Sequence, residues 1–205
     1  QRKYDESSGF KPIPPGEYGD WFEPLQALIK QSLAPDGSYF LNIKEHCDDG
    51  QRSLYVKDLT IRHARDWGWL FVDEFCWAHE GIPGKWPNRL KNRWEPIFHF
   101  STPIGIKLNH ENVWHKSDRS GGYTGSDGTT SCGNVGFSGS VSPGMALPGN
   151  LIEINHGVGR DDSAKHSAKF PVGLPEFFVK AFSDPGDLVA DPFLGSGTTL
   201  IACEK

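Results

Sequence analysis

Nine consecutive residues near the carboxyl end, Asp191-Pro192-Phe193-Leu194-Gly195-Ser196-Gly197-Thr198-Thr199, have the composition of a ligand-binding turn. The preceding Leu188-Val189-Ala190 reads as the end of a buried strand, so the run forms a corner from strand through an acid and a glycine-rich turn into a new helix. Such corners hold nucleotide-like cofactors. Glycine lets the backbone approach a ligand and adopt conformations closed to other residues, and a helix start offers N–H groups with no intrahelical acceptor. A phosphate-cradling P-loop needs Lys followed by Ser or Thr after its last glycine; here Thr198-Thr199 follow Gly197, which excludes that chemistry. A dinucleotide fingerprint needs a third glycine where this chain has Leu200, which disfavours a nicotinamide-dependent oxidoreductase.

The elements that position this turn are legible upstream. Leu174, Phe177, Phe178, Ala181 and Phe182 recur at helical spacing and define one apolar face. Pro175 is tolerated in the first turn of that helix, and Pro185-Gly186 end it. The segment His166-Ser167-Ala168-Lys169-Phe170-Pro171 leads into it.

Taken together, His166 to Pro171, Leu174-Pro175-Glu176-Phe177-Phe178, Ser183-Asp184-Pro185-Gly186-Asp187 and the run from Asp191 to Thr199 resemble the amino-methylating DNA methyltransferases, which modify cytosine N4 or adenine N6. The resemblance implies an α/β, Rossmann-like S-adenosylmethionine-dependent methyltransferase fold and S-adenosyl-L-methionine as cofactor. It implies that Asp191, Pro192, Phe193, Gly195, Ser196, Gly197 and Thr198 wrap the methionine part of the cofactor, with His166, Lys169, Phe170 and Pro171 as the opposite wall. The form of the His-x-Ala-x-Phe-Pro and Leu-Pro-Glu-Phe-Phe segments leans toward cytosine N4. A cytoplasmic protein of a bacterium, archaeon or phage is implied, with double-stranded DNA as substrate and a cognate restriction endonuclease as a candidate counterpart.

In this family the chemistry rests on a Ser-Pro-Pro-Tyr or Asp-Pro-Pro-Tyr-like segment, and none occurs in the 205 residues; the sole Pro-Pro, Pro14-Pro15, is followed by Gly16. The cofactor motif stands after the recognition insert, the permuted order in which the catalytic segment comes first. The expectation is therefore a sheet incomplete at both ends, with the catalytic segment before Gln1, and no methyl transfer by these residues alone.

Composition limits the alternatives. A chain with 37% hydrophobic residues and a mean hydropathy of −0.49 builds a real core, and no apolar run approaches the ~18 residues of a membrane helix. Cys47, Cys76, Cys132 and Cys203 are scattered without a Cys-x-x-Cys pair, which reads as reduced thiols rather than a zinc site. His110 and His115 have no acid or thiol at ligand spacing.

The net charge of −5 is awkward for a nucleic-acid binder, but its distribution matters more than its total. Between Lys85 and Arg119 the seven bases Lys85, Arg89, Lys91, Arg93, Lys107, Lys116 and Arg119 outnumber the acids Glu95, Glu111 and Asp118, with Trp86, Trp94 and Trp114 interleaved. These seven are the candidate DNA contacts. A non-catalytic DNA-binding module built on this stretch remains the alternative of a different class.

The rest of the chain divides into three. Residues 1–100 read as the half of a methyltransferase sheet on the catalytic side. Asp20 and Glu23 form a capping box for a helix whose stripe is Phe22, Leu25, Leu28, Ile29 and Leu33. A strand over 38–43 follows, then a helix over 54–67 with Leu54, Leu59 and Ala64 inward, and strands over 69–77 and 94–100, the last antiparallel. Lys91-Asn92-Arg93-Trp94-Glu95-Pro96-Ile97 also resembles the family. Residues 101–150 lose hydrophobic periodicity and fill with Gly, Ser and Thr, as expected of a target-recognition insert. Residues 151–205 resume with a strand at Leu151-Ile152-Glu153-Ile154 and carry the cofactor segment.

Overall fold

A computed structural model describes residues 12–48, 50–80, 88–102, 105–116, 145–155 and 170–205. Among the predicted site residues, His166, Lys169, Lys85 and Arg119 lie outside that set, as does Cys132.

A four-stranded mixed sheet forms the centre. Its strands are β1 (Tyr39–Asn42), β4 (Leu70–Ala78), β5 (Trp94–Ser101) and β8 (Leu151–Glu153), ordered β1-β5-β4-β8. Strand β5 is antiparallel to both β1 and β4, and β8 is parallel to β4. The carboxyl ends of β1, β4 and β8 therefore all point to the edge where β5 begins at Trp94. Two small ladders sit outside the sheet: β2 (Cys47–Asp48) with β3 (Gln51–Arg52), and β6 (His115–Lys116) with β7 (Met145–Ala146).

Strand β5 is the axis because both its faces are covered. Successive side chains point to opposite faces. Phe98 and Phe100 enter one core with Phe22, Leu41, Val56, Leu59 and Trp69, beneath helices α1 (Tyr18–Ser32) and α2 (Tyr55–Arg65). Ile97 enters a second core with Phe75, Trp77, Ile152, Leu174 and Phe178, beneath helix α3 (Gly173–Phe182). A strand covered on both sides loses the apolar/polar alternation, and in β5 every residue from Pro96 to Ser101 is buried, the polar His99 and Ser101 included.

Three local expectations are corrected. Helix α1 starts at Tyr18, continuing a 3-10 turn opened by Pro15, whose fixed φ suits a helical start. Asp20 and Glu23 therefore lie inside the helix and take Arg62 of α2 at 2.8 and 3.2 Å instead of capping; Leu28 is 61% exposed. In α2 the inward residues are Val56, Leu59 and His63, and Leu54, just before the helix, points outward.

Residues 187–190 form neither helix nor strand and make no ladder with any described strand, and Leu188 is 97% exposed. An apolar run makes a buried strand only where a neighbour pairs with it, and none of the described strands does so here. No helix among the described residues is long and apolar enough to cross a membrane.

Candidate functional site

The turn begins with a braced acid. Asp191 accepts a hydrogen bond from the Phe193 N–H through Oδ1 (2.9 Å) and one from the Thr199 hydroxyl through Oδ2 (2.6 Å). Both carboxylate oxygens thus face the turn itself, which closes the loop over helix α4 (Thr198–Cys203). The Gly197 N–H donates to the Leu194 carbonyl at 2.9 Å, and Ser196 and Thr198 share a hydroxyl contact of 3.2 Å.

Two glycines are required by this path. Gly195 and Gly197 have φ of 56° and 80°, a left-handed region costly for residues with a Cβ. A Cβ built on Gly197 would meet nothing within 4 Å, so the space beside the backbone is open. Phe193 and Leu194 flank it, 61% and 42% exposed, while Thr198 is buried at the helix start.

Helix α3 supports the turn from behind. Of the predicted opposite wall, Phe170 and Pro171 are described: Phe170 packs against the second core, and the Pro171 carbonyl accepts from the Leu174 N–H at 3.0 Å. Glu176 in the first turn of α3 accepts from Lys180 (2.6 Å) and from Lys205 (3.2 Å), which joins the two helices; these lysines hold its carboxyl below the usual range.

At its other end α3 runs into Asp184 and Asp187, which share the Lys107 ammonium at 2.9 and 2.6 Å. The hydrogen bond from Lys107, then that from Asn109, lowers the Asp184 carboxyl; the Asp184 N–H, then Lys107, lowers that of Asp187. Those two carboxylates in turn raise Lys107.

The register fixes where the turn lies. Helix α3 starts beside Ile154, just past β8 at the Trp94 end of the sheet, and finishes near Lys107 at the Ser101 end. Residues 187–190 set out from there, and Lys205 returns to the first turn of α3. That places the turn toward the carboxyl ends of the parallel strands, the edge at which open α/β sheets bind ligands.

The basic candidates do not form one group. Lys91 and Arg93 are exposed and Arg89 half-buried, all between β4 and β5 at the Trp94 edge; the Arg93 Nε–H donates to the His79 carbonyl at 3.4 Å. Lys116 is exposed on β6, where the chain leaves for residues 117–144 and returns through β7. Lys107 stands apart from the others. It lies at the opposite, Ser101 edge, with Asp36 a third carboxylate at 3.8 Å, and carboxylates rather than phosphates satisfy its charge. The described residues hold no group of three or more His, Cys, Asp or Glu side chains placed to bind a metal.

Sequence reasoning missed Lys107, Asn109 and Asn112 as attachments to α3. Asn109 donates from Nδ2 to the Ser183 carbonyl (3.0 Å) and to Asp184 (2.7 Å), and Asn112 donates to the Lys180 carbonyl (3.2 Å). Their partners lie about seventy positions away in sequence, so no local periodicity marks them.

A family model described as DNA methylase matches residues 3–205. The type II methyltransferase M.PvuII of Proteus hauseri is 29% identical over 216 residues, covering 92% of this chain and 64% of that protein. The type II methyltransferase M.BglII of Bacillus subtilis is 22% identical over 194 residues, covering 89% of this chain and 49% of its own. Among solved structures, the PvuII DNA methyltransferase (cytosine-N4-specific) superposes with a TM-score of 0.69 at 24% identity, over 100% of this chain and 67% of that one. The M1.HpyAVI–SAM complex superposes with a TM-score of 0.54 at 17% identity, over 95% and 74%. The fold is that of these methyltransferases, and the chain spans about two thirds of the length of M.PvuII and about half that of M.BglII.

Proposed function

The chain belongs to the DNA methylase family, and on that premise we propose that it carries the cofactor turn and the recognition side of an enzyme that moves a methyl group from S-adenosyl-L-methionine to an exocyclic amino group of a base in double-stranded DNA. The observation that carries this reading is the Asp191 turn. It has two left-handed glycines, a braced acid and open space beside Gly197, at the carboxyl edge of the sheet.

These residues fit the proposed cofactor. The backbone from Phe193 to Gly197 is accessible, and Phe193 and Leu194 offer apolar surface to a methionine moiety. In this reading Asp191 shapes the turn rather than touching the ligand, since both its oxygens bond within the turn. Phe170 and Pro171 are proposed as the opposite wall of the cofactor pocket, with His166 and Lys169, which lie outside the described residues, assigned to the same wall by the resemblance of their segment.

S-adenosylmethionine supplies an electrophilic methyl on a sulfonium. The receiving nitrogen is a poor nucleophile while its lone pair is delocalised into the ring, so acceptors for its hydrogens assist it. The Ser/Asp-Pro-Pro-Tyr segment that would provide them is absent from the 205 residues, and we expect no transfer by these residues alone. The target base has to leave the duplex, at a cost of a few kcal/mol. Arg89, Lys91 and Arg93, at the same sheet edge as the turn, and Lys116, at the root of the 101–150 insert, are the proposed contacts to the DNA backbone.

Cytosine N4 is favoured over adenine N6 by the form of the segment from His166 to Phe178, and the structural relative described as cytosine-N4-specific supports that choice. A cognate restriction endonuclease is a proposed counterpart, since the relatives are type II methyltransferases.

Calorimetry of the complete gene product tests the cofactor. Binding heat with S-adenosylmethionine is expected, with affinity at least about tenfold weaker in Gly197→Trp, which fills the open space and strains the backbone. Mass spectrometry of methylated duplex then distinguishes N4-methylcytosine from N6-methyladenine. Salt-sensitive DNA binding with no cofactor heat would instead support a non-catalytic binding module.

A further inference from the structure

Lys107, Asn109 and Asn112 belong to the first stretch of the 101–150 insert, yet their polar contacts go to the far end of α3. The Asn109 N–H donates to the Ala181 carbonyl at 2.6 Å, and its side chain reaches the Ser183 carbonyl and Asp184. Asn112 takes the Lys180 carbonyl. The last carbonyls of a helix have no intrahelical partner; here a distant segment caps three of the carbonyls at and just beyond the end of α3. Lys107 adds a second attachment, bridging Asp184 and Asp187 to Asp36, in the turn before β1. Its N–H also donates to the Asp36 carbonyl at 3.4 Å.

Among the described residues, little else fixes the chain past this junction. Residues 184–190 are exposed, residues 187–190 make no ladder with a described strand, and the braced Asp191 follows directly. Isolated surface ion pairs hold little, but a shared ammonium with bidirectional caps forms a network rather than a pair.

We propose that Lys107 and Asn109 are positioning residues for the cofactor turn, acting by fixing where the chain leaves α3 and therefore where Asp191 to Gly197 sit. The proposal rests on the methyl-donor reading of that turn. It also means that the root of the recognition insert and the cofactor site share one junction.

The test is the affinity of the complete gene product for S-adenosylmethionine, with hydrogen exchange of residues 188–199 measured in parallel. Lys107→Met combined with Asn109→Leu is expected to weaken binding roughly tenfold, within the usual range of coupling between sites, and to speed exchange in that segment. Lys107→Arg restores most of the affinity because it keeps the charge. Lys57→Met, which removes exposed ion pairs to Glu45 and Glu74 on helix α2, away from the turn, leaves affinity unchanged.

Asn112→Ala is the milder variant should the double substitution fail to fold, with a loss of about twofold expected for one exposed cap. Cofactor heat in the parent that persists undiminished in folded variants overturns the positioning role alone. Absence of cofactor heat in the parent overturns the methyl-donor reading, and the positioning role with it.

Discussion

Phe100 and Phe193 are the same side chain in opposite surroundings. Phe100 in β5 is 0% exposed, stacked against His63 at 4.6 Å and Tyr39 at 5.8 Å, whereas Phe193 in the turn is 61% exposed. The sheet and its helices are held by apolar burial on two faces, which is non-directional and tolerant of detail. The turn is held by directional polar braces at Asp191, Lys107 and Glu176 on an otherwise exposed path. A scaffold built the first way can present a loop built the second way, and the loop's conformation can change without unfolding the sheet.

The sharpest way to break this contrast is to truncate both phenylalanines. Phe100→Ala is expected to cost about 3–5 kcal/mol, the range for emptying a full core site, and Phe193→Ala to stay within about 0.5 kcal/mol. Urea midpoints of the two variants measure it. A comparable loss from Phe193→Ala would show that the turn is part of the cooperative core.

Acid probes the same division. Burial lowers His63 to about 4 and likewise His99, with Asp73 opposing the shift at His99. The His63 Nδ1–H donates to the Leu59 carbonyl at 2.8 Å, leaving Nε2 without a hydrogen-bond partner among the described residues; a second proton there would sit in an aromatic cage. Between about pH 6.5 and 4 the unfolded chain binds protons that the folded chain excludes. Stability is therefore complete above that window and lost as pH falls through it. At about 1.4 kcal/mol per pKa unit, each histidine contributes on the order of 3 kcal/mol to the loss. Urea midpoints at pH 7.5 and 4.5 should show it, and His63→Phe should flatten the slope. An unchanged slope in that variant would remove His63 from the account.

The difference between the two regions also explains what was readable beforehand. Strands β4 and β5 and helix α3 follow from apolar periodicity, and periodicity is a property of local sequence. The turn was legible because glycines at Gly195 and Gly197 answer a backbone requirement that few other residues meet. His63 was not, because a histidine counts as polar until Phe22, Tyr39, Trp67 and Trp69 are seen around it. The carboxylate partners of Lys107 were not legible for a related reason. A basic residue in a basic stretch suggests phosphate, and its real partners, Asp184 and Asp187, are distant in sequence. Residues 187–190 show the limit from the other side, since composition implied a strand while pairing depends on neighbours.

The subtlest test lies inside the turn, between the two oxygens of Asp191. If the carboxylate is a brace, its two hydrogen bonds are separable. Thr199→Val removes the 2.6 Å bond to Oδ2 while keeping the shape of the side chain, and leaves the 2.9 Å bond from the Phe193 N–H in place. Asp191→Asn keeps one oxygen for that N–H but offers an amide donor to Thr199, whose hydroxyl can turn to accept. A bond to a charged group contributes about 1.5–3 kcal/mol when well sheltered, and less at a half-exposed site such as this one. Thr199→Val is therefore expected to leave the urea midpoint nearly unchanged and to weaken cofactor binding about three- to fivefold, or about 1 kcal/mol. Asp191→Asn should fall between Thr199→Val and the parent. A larger loss in Asp191→Asn than in Thr199→Val would mean that the negative charge itself meets the ligand, and Asp191 would then be a binding residue rather than a brace.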